Sequence, residues 1–584
     1  MSSEPKLSYY ISKSESIDYN TLEKKIRIAI LSSYTLNGLD RAVCVKCAER
    51  EVSCSVYFSG YDQYNQDILN SESDLYKSSP DISFLILDAR SILKNLFYSP
   101  YSVSQSERIQ YIDKRAAEII RLATTFTNRS KSKLVISNFS IPTYSPYGIL
   151  ETKTEYSLQK MILDLNNKLS DALISEPSVY IYDFNAFIAK HGENNVFDYR
   201  QFLFGDIKVA LNYIPYLAED LMGYIKPVLG LNRKCVVLDL DNTLWGGVVG
   251  EEGFEGIALG PKAPGNAFLE FQRHLLSLSQ RGIILVINSK NNTADAIEVL
   301  KDHPYMILRE ENFASMKINW NDKISNMRDI AEELNIGLDS MVYIDDDPVN
   351  RELMRKALPE VLTIELPKDP SLYSPTLMSL TDFNVLNITD EDATRVEMYR
   401  QQIKRNQLEK TVTNLEEYLS QLDIKIKIKN ADSFTIPRIA QLILKTNQFN
   451  LTTHRYQEEE VRKFSQDPNI IIGCAQVEDK FGDNGITGAF IVKKNSPIEW
   501  TIDTFLLSCR IMGRGVENAI MGFIVNEAKR EGVIKIKGRY IPTKKNKPCE
   551  DFLHDYGFKQ EEDYWAYALD QPTIIPNHLT LLIG

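Results

Sequence analysis

Short apolar runs alternate with amphipathic stretches over the first third of the chain. IRIAIL (26–31), SFLILD (83–88), KLVISNF (133–139) and SVYIYDF (178–184) have strand length and β-branched content. Between them, segments such as ERIQYIDKRAAEIIRLATTF repeat their apolar residues at helical spacing. This alternation predicts a parallel sheet covered by helices. YIKPVLGLNRK (224–234) reads as a linker. The α/β pattern then resumes. KCVVLDLD, GIILVINSK, MILR and SMVYIDDD read as strands, and GNAFLEFQRHLLSLSQRG as an amphipathic helix closed by Gly282. A Glu-, Lys-, Arg- and Gln-rich stretch (388–421) predicts connecting helices. The last block opens with strand IKIKIK and helix TIPRIAQLILKTNQF. Strands IIIGCAQV, TGAFIVKK and EWTIDTFLLS follow, then the turn CRIMGRG, helix VENAIMGFIVNEAKREG, strand VIKIKGRYI, a short helix CEDFLHDYG and a strand near WAYAL.

The organisation is therefore multidomain and α/β. The expected segments are 1–228, 229–375, a helical linker at 376–421, and an α+β domain at 422–584. A length of 584 residues suits several cores. Apolar content of 43% and charged content of 25% are ordinary for globular chains. A net charge of −12 argues against non-specific nucleic-acid binding. Seven scattered cysteines make no disulfide framework and point to reduced thiols in the cytoplasm. Cys44 and Cys47, in the amphipathic segment LDRAVCVKCAERE, and nearby Cys54 are expected in packing, because no second pair completes a zinc site. No run approaches the roughly 20 apolar residues of a membrane helix, and the N-terminus has no signal-peptide pattern.

VVLDLDNTLWGG carries the chemistry. Asp239 and Asp241 follow a hydrophobic strand, and their spacing of two puts both on one side of the extended chain. One carboxylate can accept a phosphoryl group. The other can protonate the leaving oxygen and then activate water. Thr243 is expected to fix the loop by hydrogen bonding. Ser289, ending ILVINS, suits a phosphate oxygen. Lys323, heading KISNMRDIAEELNI, suits developing negative charge, with Lys317 as its competitor. Asp345 and Asp346, after MVYID, suit Mg²⁺ shared with Asp239.

This order of nucleophile, hydroxyl, lysine and acid pair resembles the haloacid dehalogenase (HAD) superfamily. LDLDNTLWGGVVGEEG, INSKNN, NWNDK and AEELNIGLDSMVYIDDDPVNRE resemble its FkbH-like branch, subfamily IIIC. The resemblance implies a Rossmannoid domain with Asp239 as nucleophile, Asp241 as acid/base, Ser289 on phosphate and Lys323 on charge. It implies metal ligation by Asp239, Asp241, Asp345 and Asp346. The branch usually reads D-D-N-P; here Asp347 replaces the Asn, which would add negative charge beside the metal. The short stretch between Asp241 and Ser289 leaves no room for a large cap domain.

In the last block, R-x-x-G-R-G lies between a strand and a helix, where backbone amides favour an anion. It resembles the GNAT acyltransferase fold, whose corresponding loop holds the pyrophosphate of coenzyme A. The match falls on Arg510, Gly513 and Gly515, with Arg514 beside them. A carrier protein's phosphopantetheine arm could use the same loop. Cys509, just before it, is a candidate acyl acceptor if the helix N-terminus lowers its pKa, and His454 is a candidate base near that thiol. The first block faintly resembles an SGNH-hydrolase sheet, with Ser32, Ser33 and Asn138 at strand ends. It lacks the Gly-Asp-Ser wording and the Asp-x-x-His, so a structural or docking role is expected. The resemblance as a whole implies an enzyme that dephosphorylates 1,3-bisphosphoglycerate, a phosphorylated three-carbon molecule, and loads the glyceryl unit onto an acyl carrier protein. A plain phosphatase and a non-catalytic carrier-binding module are the alternatives.

Overall fold

The computed structural model describes residues 5–22, 24–388 and 414–583, together with Met398, Tyr399, Gln401, Arg405, Leu408 and Val412. Most of the connecting stretch expected to be helical therefore lies outside the described residues; its last part forms the helix Leu415–Leu422. The chain divides into two compact units, Met1–Leu229 and Gly230–Gly584.

The first unit is built on five parallel strands: β1 (Lys24–Ser32), β2 (Val52–Phe58), β3 (Ile82–Ile86), β4 (Lys133–Ser137) and β5 (Val179–Tyr182), in the order β2-β1-β3-β4-β5. The inner strands β3 and β4 are buried at every position, as helices on both faces require. The helix Gln105–Arg129 starts at a capping box in which Ser104 and Glu107 satisfy each other's backbone amides. β2 was not legible as a strand: only alternate residues Val52 and Cys54 are buried. Cys47 and Cys54 are buried, Cys44 is half-buried, and all three thiols are free. Ser32 and Ser33 are spent on local structure. Ser32 Oγ accepts from the Tyr34 amide at 3.2 Å, and Ser33 Oγ from the Asp88 amide at 2.9 Å.

The helix Ile214–Val228 takes in the first part of the expected linker, tolerating Pro227 in its last turn. It presents Glu219 to Lys46 (2.9 Å), Lys226 (3.4 Å) and Arg50 (3.9 Å). Burial alone would raise the Glu219 pKa, but Lys226, Lys46 and Arg50 outweigh it and hold the carboxyl at about 2. A depressed carboxylate stabilises the fold above the ordinary glutamate pKa and loses that contribution as pH falls toward about 2. Glu219→Gln should therefore cost about 3 kcal/mol at neutral pH, since Lys46 and Lys226 are buried beside it. Faster hydrogen exchange in the helices Leu39–Ala48 and Ile214–Val228 would register the loss, and the difference from the parent chain should vanish in strong acid.

The second unit holds two sheets. The first contains β6 (Cys235–Leu238), β7 (Ile284–Ser289), β8 (Phe313–Ile318), β9 (Met341–Ile344) and β10 (Leu362–Thr363), all parallel, in the order β10-β9-β6-β7-β8. MILR, expected as a strand, is not one. Met306 and Leu308 are buried, but Arg309 turns back to the carbonyls of Leu300, Lys301 and His303, closing the preceding helix. The strand forms a few residues later, at Phe313. No cap domain intervenes between β6 and β7; the helices Val249–Gly256 and Gly265–Gln280 fill that stretch.

The second sheet contains β11 (Ile424–Asn430), β12 (Phe449–Asn450), β13 (Ile470–Asp479), β14 (Gly482–Ser496), β15 (Glu499–Leu507), β16 (Lys535–Gly538), β17 (Lys559–Glu561), β18 (Tyr564–Ala568) and β19 (Leu579–Ile583). β13, β14 and β15 form an antiparallel meander. β15 and β16 are parallel and meet over Glu499–Thr501 only. This mixed order, with the helix Val516–Arg530 crossing between β15 and β16, is the GNAT-like α+β arrangement expected of the block. Beyond Thr501 the gap beside β15 is filled by the chain itself: β12 pairs with Leu506 and Leu507, and Asn546 Nδ2 holds the Asn450 carbonyl at 2.9 Å. β12 and β19 were not foreseen; two residues make no pattern, and β19 is an edge strand pairing with β11.

Candidate active site

β6 is central in its sheet, between β9 and β7, so three adjacent strand ends converge. Asp239 leaves the end of β6, its amide bonded to the Ile344 carbonyl at 3.0 Å. Asp345 and Asp346 leave β9, and Ser289 ends β7. Lys323 opens the helix Lys323–Leu334, whose start is fixed by the Asp322 side chain on the Ser325 amide. Carboxylate oxygens of Asp239, Asp345 and Asp346 all lie within 4.8 Å of one another. Lys323 Nζ stands between them, 3.0 Å from Asp239 Oδ1 and 2.6 Å from Asp345 Oδ2. All three partners are buried. Lys317, the competitor, pairs instead with Glu333 at 2.6 Å, away from the acids.

The electrostatics follow from crowding. Burial, then Asp239 and Asp345, push Asp346 up to about 6. Burial also raises Asp239, against the pull of Lys323 and the Ser289 hydroxyl. Asp239 Oδ1 is buried without a hydrogen bond of good geometry. A hard divalent cation takes oxygen ligands, so three clustered carboxylates, one with an oxygen that only the Lys323 ion pair reaches, fit Mg²⁺.

Asp241 corrects an expectation. Its carboxylate is not in the cation cluster. Oδ1 accepts from Trp245 Nε1 at 2.8 Å and the Val249 amide at 3.1 Å, and Oδ2 accepts from Asn291 Nδ2 at 2.8 Å. Burial nonetheless raises its pKa, favouring the protonated form a general acid needs. Trp245 and Asn291 escaped the sequence reading; the signal was their place in the same turns, LWGG and SKNN. Thr243 does not fix the loop through its hydroxyl, which is buried and finds no partner among the described residues. Asn242 does so, accepting the Gly247 amide at 2.8 Å. Asp347 spends its carboxylate on the Val349 amide, capping the helix Pro348–Ala357, so it acts as an N-cap.

The expected anion loop is arranged differently. Gly513 and Gly515 have φ of 73° and 80°, conformations that favour glycine. Both arginines turn inward. Arg510 donates to Met398 Sδ at 2.7 Å, and Arg514 lies 3.5 Å from Asp479, which also holds Arg405 bidentately. The carboxyl of Glu517 sits on the Gly515 amide at the helix start. Both guanidiniums are engaged within the chain. Cys509 is also corrected. Burial pushes its thiol up, outweighing Lys234 and Arg510. Its carbonyl accepts from Asn335. Lys234 precedes β6, so Cys509 lies toward the end of that strand away from Asp239; the strand runs about 16 Å from Lys234 to Asp239. His454 pairs with Asp503, 3.5 Å away, and no bond joins it to that thiol among the described residues.

Residues 27–226 match the family described as FkbH, N-terminal domain. The crystal structure of the N-terminal part of the protein BF1531 from Bacteroides fragilis, containing a phosphatase domain complexed with Mg, is similar at 29% identity and a TM-score of 0.60. The likeness covers 66% of this chain and 100% of that one. By these two matches the chain resembles an FkbH-like HAD protein. Likenesses to acetyltransferases are much fainter. The ribosomal-protein-S18-alanine N-acetyltransferase from Escherichia coli is 11% identical, with a TM-score of 0.20 over 25% of this chain and 96% of that one. The putative acetyltransferase yncA from Salmonella typhimurium is 12% identical, with a TM-score of 0.20 over 26% and 98%. No curated protein matches the chain. Among the described residues no helix is long and apolar enough to cross a membrane.

Proposed function

We propose that this chain is a Mg²⁺-dependent phosphatase of HAD type that acts on a phosphorylated three-carbon acyl compound and serves an acyl carrier protein. The observation that carries the phosphoryl reading is the cluster of buried Asp239 and Asp345 with half-buried Asp346, in which Lys323 pairs with the first two. Bound there by those three carboxylates, Mg²⁺ would neutralise charge on the transferring phosphoryl group. An Asp239 oxygen attacks phosphorus as the bond to the leaving oxygen breaks, and Asp241 gives that oxygen its proton. Asp241 then takes a proton from water as the water oxygen bonds to phosphorus and the bond from phosphorus to Asp239 breaks, which frees the Asp239 carboxylate and releases orthophosphate. Lys323 and Ser289 hold the phosphoryl oxygens.

The finer reading, a phosphoglyceryl substrate and a carrier acceptor, is supported by the FkbH N-terminal domain and by a site with no cap domain between β6 and β7. It is tested by incubating the chain with Mg²⁺ and freshly generated 1,3-bisphosphoglycerate, with and without an acyl carrier protein, and weighing both proteins intact. A glyceryl mass on the carrier supports it. Phosphate release with the carrier unmodified leaves a plain phosphatase, and no release at all leaves a binding module. Chelation should lower phosphate release by about 10²–10³-fold, because the metal supplies several kcal/mol of charge stabilisation. Restoring Mg²⁺ should return the rate; an unchanged rate in chelator would exclude the metal's role.

A further inference from the structure

A second cluster of chemistry-bearing side chains lies on the GNAT-like sheet, away from the phosphoryl site. Ile491 pairs with Thr504 and Val492 with Ile502, so Asp503 is the extra residue of a β-bulge on β15. Bulges re-aim a side chain and gather beside active sites. Asp503 is buried and receives Lys493 Nζ at 2.5 Å, Tyr456 Oη at 2.9 Å and Thr504 Oγ1 at 3.0 Å. His454 Nδ1 approaches the same carboxylate to 3.5 Å. Thr452 Oγ1 ties the His454 segment to the Asp503 carbonyl at 2.8 Å. Between them Thr453, a β-branched residue, is held at φ 53°, a conformation such residues avoid and which collects at functional sites. The His454 side chain is 41% exposed while Asp503's is 7% exposed.

Simple anchoring of this loop does not account for the ring. Lys493, Tyr456 and Thr504 already satisfy the carboxylate, and nothing structural requires an exposed imidazole on the bulged acid. With Nδ1 3.5 Å from both Asp503 and the Tyr456 hydroxyl that Asp503 holds, Nε2 is the nitrogen left for a ligand, and no described residue bonds it. A buried carboxylate that fixes one imidazole nitrogen leaves the other as a base. The single cation of the cluster, Lys493, is already paired, so nothing here balances a phosphoryl group's charge. An uncharged acyl carbonyl makes no such demand.

We infer that His454 is a catalytic general base for cleavage of an acyl thioester, with Asp503 as its positioning residue. The acyl part rests on the acyl-carrier reading given above. His454 Nε2 takes a proton from water, or from an acceptor hydroxyl or thiol, as that atom bonds to the acyl carbon. The carbon–sulfur bond breaks, and the imidazolium returns the proton to the leaving thiolate. Asp503 stabilises the imidazolium and keeps its charge.

The test uses the full chain carrying Asp239→Asn and the probe S-acetyl-N-acetylcysteamine, with released thiol read by a chromogenic reagent. Thiol should appear above the uncatalysed rate, and His454→Gly should reduce it by about 10²-fold or more. Added imidazole should restore part of the rate in His454→Gly, which no structural role would produce. Asp503→Asn should lower kcat while leaving KM nearly unchanged. Release no faster than background, or a His454→Gly rate equal to its parent's, overturns the inference. Thioester cleavage that persists where Mg²⁺-dependent phosphate release was never found would overturn the phosphoryl reading alone.

Discussion

Asp239→Asn is expected to abolish phosphoryl transfer, lowering kcat/KM by at least about 10⁴-fold, the scale of losing a nucleophile whose partners cannot substitute for it. The amide keeps the side chain's shape but has no anionic oxygen to attack phosphorus. It also removes one of three acids from the cation cluster. Asp241→Asn should differ in kind. Asp239 can still be phosphorylated by substrates with good leaving groups, but water then lacks its base, so an acid-stable phosphoenzyme should accumulate. Rapid acid quench followed by intact mass measurement distinguishes the two variants. Turnover surviving in Asp239→Asn, or a phosphoenzyme forming there, would assign the nucleophile elsewhere. Trp245 and Asn291 hold both oxygens of Asp241, so their substitution should mimic Asp241→Asn more weakly.

The phosphoryl centre was legible because its chemistry is concentrated where chain direction fixes it. In a parallel sheet the strand ends share one edge, so a polar residue just after each apolar run, Asp239, Ser289 and Asp345, lies with the others once strand order is known. Strand order also separated Lys323 from Lys317. What was not legible depends on contacts between distant segments. Nothing in CRIMGRG says that Asp479 captures Arg514, that Glu517 covers the Gly515 amide, or that Cys509 sits beside Lys234. Local motif reading supplies a loop's backbone shape, which Gly513 and Gly515 bear out, but not which side chains the rest of the fold claims. The bulge at Asp503 is invisible for a related reason: a one-residue insertion in a ladder shows only against its partner strand.

These placements bear on how the two halves of the second unit cooperate. Asp239 lies at the carboxyl edge of its sheet. Asn335 and Asp339, which meet Cys509 and Lys545 of the GNAT-like domain, precede strands at the opposite edge. The phosphoryl site and these contacts with the C-terminal sheet therefore lie at opposite edges of the same sheet.

Lys323→Met carries the second large effect, on stability and on rate together. Lys323 is 5% exposed and Asp345 is fully buried, and the ammonium pairs with both Asp239 and Asp345. Breaking a buried ion pair from one side typically costs about 3–5 kcal/mol, because the remaining charge stays desolvated. Without Lys323 the folded pKa values of Asp239 and Asp346, already raised by burial, rise further above their unfolded values. The folded variant then binds more protons than the unfolded chain, so its stability deficit should shrink as pH falls below neutral. Mg²⁺ should act in the same direction at neutral pH, by about 2.7 kcal/mol at a hundredfold excess over its dissociation constant. Thermal unfolding in chelator, in Mg²⁺ and at mildly acidic pH separates these terms. Phosphate release should stay about 10²–10³-fold below the parent even when Mg²⁺ restores the fold, since the charge that Lys323 supplies to the transition state is not replaced. A variant as stable as its parent in chelator at neutral pH would mean that the ion pairs of Lys323 with Asp239 and Asp345 add nothing net to the fold, and that Lys323 is held for catalysis alone.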